Sequence, residues 1–151
     1  MARAAGDLAR PPTVLGAIPA EQLGVTLIHE HVIADITALS HRPAHPGREW
    51  LASALVADID PALLARDPLV CKDNCVLDDE DTAVTELGFF AAAGGGTVVE
   101  CTSTGLRPDI VKLARIAARV DVHIVAPTGY YLWFTCEPEA GGATSTSSPT
   151  P

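Results

Sequence analysis

The sequence is poor in positive charge and in long apolar runs. Of its 151 residues, 10 are Lys or Arg and 19 are Asp or Glu, so the net charge is −9. Nucleic acids and anionic membrane surfaces are bound through clustered Lys and Arg, so we expect no nucleic-acid and no membrane partner. No apolar run reaches the ~20 residues of a membrane-spanning helix. No long apolar run follows the N-terminal residues, as it would in a secretory signal peptide, so we expect no signal peptide.

The four cysteines lack the CxxC spacing of a redox motif or a zinc knuckle. Cys71 and Cys75 are four positions apart, whereas Cys101 and Cys136 stand alone in the sequence. We interpret all four as reduced thiols of a cytoplasmic protein, with a Cys71–Cys75 disulfide as the alternative. Cys101 ends a valine-rich run, and we expect it to behave as a small buried hydrophobic residue.

Apolar β-branched segments alternate with segments of helical periodicity. Strands are expected at 25–28, 97–101 and 122–126, with one helix after Asp78–Asp81 and another from Pro108. Val84, Leu87 and Phe90 mark the apolar face of the first helix, and the three glycines 94–96 are expected to stop it. Alternation of this kind predicts an α/β fold built of βαβ units with a parallel sheet.

The remaining segments are less regular. Residues 1–12 are interpreted as a flexible lead, and 13–135 as the folded unit. Within that unit, 49–64 is weakly helical and is expected to be interrupted at Pro61. Residues 136–151 are rich in Gly, Ser, Thr and Pro, which predicts a disordered tail.

A histidine pair at the end of the first strand carries the chemistry of this sequence. His29 and His31 are two positions apart, so their imidazoles would share one side of the strand and Glu30 would point away. Neutral imidazole is a common zinc ligand, so the pair predicts half of a metal site. On spacing alone, the alternative is two strand histidines whose rings are satisfied by backbone carbonyls.

Four sequence blocks resemble the phosphotriesterase family of the amidohydrolase superfamily. The first is the segment that ends in the histidine pair, and the others follow it in the same order as in the family. The blocks lie at 24–32, at 72–79 with 86–87 and 93–100, at 102–109, and at 123–131. Four ordered blocks are far more specific than one HxH motif.

The resemblance implies the N-terminal portion of a TIM (β/α)₈ barrel, about three parallel strands with their helices. It also implies a two-metal centre, usually zinc, which hydrolyses phosphotriesters, lactones or related esters and amides through a metal-bound hydroxide. His29 and His31 would be ligands of the more buried metal. The family's bridging lysine, two later histidines and aspartate have no matching positions here, and a complete barrel needs ~250 residues. We therefore expect an incomplete barrel, a truncation or frameshift product after about Phe134.

Roles are also predicted for other polar side chains, and for some of them two roles are open. Glu100 and Asp35 are the local groups that could assist a metal, and Glu100 is equally an internal polar anchor. Tyr131 either lines a substrate pocket or packs as an ordinary aromatic residue. The histidines at 41 and 45 are expected to be solvated in a proline-rich loop, and His123 is expected to be structural.

Three functional hypotheses remain after this reading. The first is a zinc-dependent hydrolase of small-molecule esters, lactones, phosphotriesters or amides, to which this chain contributes the first-strand ligands. The second is a catalytically inactive α/β fragment that depends on a partner or aggregates through its open sheet edge. The third is an α/β binding module without metal. A homo-oligomeric state is left open.

Overall fold

The computed structural model describes residues 10–136, so most of the predicted lead and tail lies outside the described residues. The strands are β1 (Pro12–Thr13), β2 (Gly16–Ala17), β3 (Val25–Glu30), β4 (Ala34–Asp35), β5 (Val76–Leu77), β6 (Gly95–Glu100) and β7 (His123–Val125). The α-helices are α1 (Pro61–Arg66), α2 (Glu80–Ala92) and α3 (Ile110–Ala117). Short 3₁₀ turns lie at Ala20–Gln22, Thr37–Leu39, Glu49–Ser53, Val56–Asp58, Asp73–Cys75 and Trp133–Thr135.

The central element is a three-stranded parallel sheet in the order β3-β6-β7. Leu27, Val98 and Ile124 lie side by side across it. The register between β3 and β6 is irregular between Leu27 and Glu30, immediately before the second histidine. The strands and helices alternate along the chain as predicted, which confirms the expected partial α/β barrel. Two antiparallel pairs, β1-β2 and β4-β5, form separate two-stranded sheets.

Helices α2 and α3 cover one face of the sheet and build the main core. Val98 and Ile124 of the sheet are buried against Leu87 of α2 and against Leu113 and Ile116 of α3. Full burial of one such aliphatic side chain stabilises a fold by about 1.5–3 kcal/mol. The apolar faces of α2 and α3 therefore form the layer that holds the parallel strands together.

Both long helices begin at an aspartate cap. The Asp79 carboxylate accepts a hydrogen bond from the Thr82 N–H at 2.6 Å, and the Asp109 carboxylate accepts one from the Lys112 N–H at 2.9 Å. Each bond satisfies a backbone donor that has no partner within its helix. The acidic run before α2 is thus a helix start, as predicted.

The glycine run does more than end α2. Gly94, with φ +91°, ends the helical segment, but β6 already begins at Gly95, two residues before the predicted start. A Cβ atom on Gly95 would lie 2.3 Å from the Phe90 ring, and one on Gly96 would lie 2.6 Å from the Leu23 carbonyl oxygen. These close approaches put glycine inside the strand, so the predicted strand boundary was wrong.

The excursion between β4 and β5 has its own small core. Its buried members are Leu51, Ile59, Val70 and Cys71. Helix α1 starts at Pro61 instead of being interrupted there, because Asp60 caps it and accepts the Ala62 N–H at 2.9 Å. A proline in the first turn of a helix costs no hydrogen bond, because the N–H groups of that turn have no partner within the helix. The predicted interruption at Pro61 was therefore wrong.

All four cysteines are free thiols, as predicted. Cys71 and Cys75 are buried, and the Cys75 thiol donates to the Cys71 carbonyl at 3.3 Å. Cys101, which directly follows β6, is half-buried instead of buried, so that prediction was wrong. None of the helices within residues 10–136 has the length and apolar character that crossing a membrane requires.

Candidate metal centre

The two imidazoles of the histidine pair lie together at the carboxyl end of β3. The ring centroids of His29 and His31 are 5.5 Å apart, and the ring planes meet at 68°. Glu30 and His31 both line a cavity of about 580 Å³ between β3 and α2, and His29 is not among its lining residues. The two rings therefore lie together at the strand end, and His31 also shares a cavity with Glu30.

A buried carboxylate fixes the chain directly after the histidines. Glu100 has no solvent exposure, and its two oxygens accept the N–H groups of Val32 and of Thr102, the latter at 2.7 Å. Because both donors are backbone groups from the ends of adjacent strands, the side chain ties β3 to β6. These contacts favour the anchoring interpretation of Glu100 over a role in binding a ligand.

Thr102 contacts the His31 ring from inside the protein. Its hydroxyl oxygen lies 2.9 Å from His31 Nδ1, and its side chain has no solvent exposure. Glu100 Oε1 is 3.9 Å from the same nitrogen. The sequence did not predict this partner, because segment 102–109 was assigned only as a block of the family resemblance, with no role for Thr102. Its position directly after β6, beside the end of the neighbouring strand β3, was the available signal.

A second cavity, of about 480 Å³, adjoins both histidine rings. Its surface is mostly apolar, with polar groups from Asn74, Cys101 and Tyr131. Tyr131 therefore borders the histidine pair, in keeping with its suggested place at a pocket. A mostly apolar recess with a few polar groups beside two imidazoles is typical of a small-molecule site.

The buried Cys75 thiol also borders this cavity. Burial raises the pKa of Cys75, and the neighbouring Cys71 and Asp35 raise it further. A metal ligand must be the thiolate, so a raised pKa disfavours Cys75 as a ligand near neutral pH.

Asp35 is engaged away from the histidine rings. Burial works against ionisation of its carboxyl group, but hydrogen bonds from Thr37 and the charge of Arg107 outweigh it and lower the pKa of Asp35. Arg107 is 3.2 Å from the Asp35 carboxylate and has φ +53°, a left-handed conformation rare for residues other than glycine. The pair ties the loop after β6 to the chain after β3.

The other histidines lie apart from the pair. His41 is exposed, with its Nε2 atom 3.1 Å from an Asp67 carboxylate oxygen, and His45 is exposed in the same loop. His123 begins β7, at the opposite end of the sheet, beside Thr97. These positions agree with the solvated and structural interpretations.

The side chains at this site are of the kind that binds a metal ion, but they are too few to complete a metal centre. Two imidazoles, one of them in contact with a hydroxyl group on its far side, are ligands that zinc accepts. Among residues 10–136, no group of three or more His, Cys, Asp or Glu side chains converges to hold a metal ion. Catalytic zinc takes three protein ligands and a water, so the described residues provide part of such a centre.

Three known proteins illustrate what this chain is similar to. N-acetyltaurine hydrolase of Danio rerio is 39% identical over 121 residues, which are 80% of this chain and 34% of the relative. A crystal structure of a resiniferatoxin-binding protein from Rhodobacter sphaeroides is 42% identical, with a TM-score of 0.81, over 87% of this chain and 36% of that one. The phosphotriesterase from Mycobacterium tuberculosis is 28% identical, with a TM-score of 0.50, over 82% of this chain and 30% of that one.

The chain spans about a third of the length of the curated relatives it matches. The sequence model of the phosphotriesterase family matches residues 10–148, so the likeness extends past residue 135 into the segment interpreted as a tail. The match, the relatives and the parallel βαβ unit agree, and the chain belongs to the phosphotriesterase family.

Proposed function

We propose that this chain carries the first-strand portion of a metal-dependent hydrolase centre, with His29 and His31 as ligands of a divalent metal, by preference zinc. The observation that carries the proposal is the placement of the two rings, 5.5 Å apart at the carboxyl end of β3. Functional residues of such barrels lie at that end of the strands. When bound, the metal supplies Lewis-acid activation of water and of the bond under attack.

The chain's own residues bind the substrate and orient the ligands. Glu100 holds the end of β3 against β6, and Thr102 supports one of the two rings. The mostly apolar recess beside the rings would receive the apolar part of a small molecule. We propose a substrate with an ester, lactone, phosphotriester or amide bond. The name of the curated relatives, N-acetyltaurine hydrolase, favours the amide member of that group.

A second candidate is an inactive fragment that depends on a partner. Two observations favour it: the described residues lack a third ligand near the histidines, and β3 is an edge strand that exposes Val25 and Ile28. Open apolar edges of this kind promote association. The four free thiols are consistent with the predicted cytoplasmic location for either candidate.

Zinc binding by the purified 151-residue chain separates these candidates. We expect the monodisperse chain to bind zinc saturably in calorimetric titration, and the His29→Ala/His31→Ala variant to lose that binding. The matched control is His41→Ala/His45→Ala, which removes two exposed histidines and should titrate like the parent. Absence of binding in the parent, or equal binding in both double variants, would refute the proposal. Light scattering identifies the associated form that the second candidate predicts.

A further inference from the structure

We propose that two copies of this chain share one zinc ion, which His29 and His31 of each copy bind across a two-fold contact. The proposal names the partner of the candidate metal centre, and it rests on the metal-binding part of the proposed function. Three observations support it: the shortage of ligands within one chain, the exposure of the histidine pair, and the net charge of the chain.

The carboxylates that were predicted to assist a metal are engaged elsewhere. The two oxygens of the buried Glu100 accept backbone N–H groups, and the Asp35 carboxylate is bound by Thr37 and Arg107. Within residues 10–136, no third His, Cys, Asp or Glu side chain converges with the two histidines. A closed zinc site has four ligands, so a second molecule is the source of the other two.

The histidine pair is accessible to a second molecule. Both histidines are exposed, and 38% of the His31 side chain is open to solvent. They lie at the end of β3, which is an edge strand of the sheet, and Ile28 directly before them is 78% exposed. A second chain therefore reaches the rings without displacing buried side chains, and it covers exposed apolar surface as it does so.

A second copy of this chain supplies the missing ligands by symmetry. In a two-fold contact both chains use the same surface patch, so one pair of histidines meets another pair. Four imidazoles are then available to one zinc ion, which is the number that a closed tetrahedral site takes. The 5.5 Å between the two ring centroids suits this role, since two imidazoles with Zn–N distances of ~2.0–2.1 Å to one ion have centroids roughly 5 Å apart.

The net charge of the chain makes this contact depend on the metal. Each chain carries a net charge of −9, so two copies repel each other, most strongly at low ionic strength. A zinc ion between the copies adds positive charge and ligand bonds at the point of contact. The chain is therefore a monomer without zinc and a dimer with it. Because four imidazoles leave no position for water, the shared site holds the metal without activating a nucleophile.

Sedimentation velocity and native mass spectrometry of the untagged 151-residue chain test the proposal. We expect a monomer in EDTA and, with added zinc, a dimer that holds one zinc ion. Removal of the zinc with EDTA should restore the monomer. The His29→Ala/His31→Ala variant should stay a monomer in zinc, and its core is left intact because both residues are exposed. The matched control is His41→Ala/His45→Ala, which removes two exposed histidines of another loop and should dimerise like the parent.

The outcomes separate this inference from the proposed function. One zinc ion per chain on a monomer would overturn the shared site and leave the proposed function standing. A dimer that forms in EDTA, or one that the His41→Ala/His45→Ala variant does not form, would place the contact elsewhere and would also overturn the shared site. If the parent chain binds no zinc, the proposed function fails together with this inference.

Discussion

The two ends of the parallel sheet use the same kind of buried hydroxyl group for different purposes. At the amino end, the Thr97 hydroxyl donates to the Leu23 carbonyl at 2.6 Å. At the carboxyl end, the Thr102 hydroxyl lies 2.9 Å from the His31 ring. Both threonines are fully buried. The Thr97 hydroxyl joins β6 to the backbone at Leu23 and so stabilises the fold. The Thr102 hydroxyl instead supports the His31 side chain, which can bind a ligand.

This difference follows the general division of labour in such barrels. Residues at the carboxyl ends of the strands carry function, and residues at the opposite end carry stability. In this chain, close glycine packing and a backbone hydrogen bond secure the amino end. A buried carboxylate and an ion pair secure the carboxyl end. Substitutions of the anchoring groups at either end should therefore lower stability, whereas those that affect metal binding should lie at the carboxyl end.

The largest effect is expected at the carboxylate anchor. Glu100→Leu removes the acceptor of two buried N–H groups, and each orphaned donor costs about 1–3 kcal/mol. We expect the free energy of unfolding to fall by about 2–6 kcal/mol in urea denaturation. Glu86→Leu, at an exposed position of α2, is the control and should change it by less than about 0.5 kcal/mol. Equal losses in both variants would contradict the anchoring role.

A smaller effect is expected at the amino end. A Cβ atom on Gly96 would meet the Leu23 carbonyl oxygen at 2.6 Å, so the backbone must shift to accept Gly96→Ala. We expect a loss of about 1–3 kcal/mol. Gly88→Ala is the matched control, because Gly88 lies in α2 with nothing near its Cβ position, and it should stabilise the chain by about 0.5–1 kcal/mol. Thermal unfolding compares the two, and a gain in stability with Gly96→Ala would refute the close packing.

The smallest effect is expected at the ion pair between Asp35 and Arg107, and it depends on pH. The pKa of Asp35 is lowered from 3.8 in the folded chain, so its ionised form stabilises the fold above that value. That contribution is lost as the pH falls through the lowered pKa. The parent should therefore exceed Asp35→Asn in stability near pH 6, and the difference should shrink toward about pH 3.

Urea unfolding across this pH range measures the Asp35 effect. Asp121→Asn, at an exposed position before β7, serves as the control and should follow the parent throughout. A stability difference between the parent and Asp35→Asn that grows as the pH falls would contradict the direction of the pKa shift.

Much of the fold was readable from local pattern. Leu87 and Phe90 at helical spacing, and the β-branched run from Thr97 to Val99, report which face is buried because burial repeats with the period of the element. The pattern failed at two element boundaries. Gly95 belongs to the strand because it pairs with Val25 of β3, and Pro61 starts a helix because the preceding Asp60 caps it.

The candidate site was readable only in part. The alternation along β3 predicted that His29 and His31 share one side, and the rings do lie together. Their role as metal ligands stays a prediction. The partner of His31 was not predicted, because Thr102 is 71 positions away and reaches the ring only through the pairing of β3 with β6.

The sequence by itself determined the family, the order of strands and helices, and the identity of the two histidines, because motif, periodicity and spacing are local properties of the chain. Only the tertiary structure decided which nitrogen of His31 is engaged, that Glu100 is an anchor, and where glycine is required. Those features depend on distances between segments far apart in sequence, and hydrogen bonds and close packing act only across such short distances.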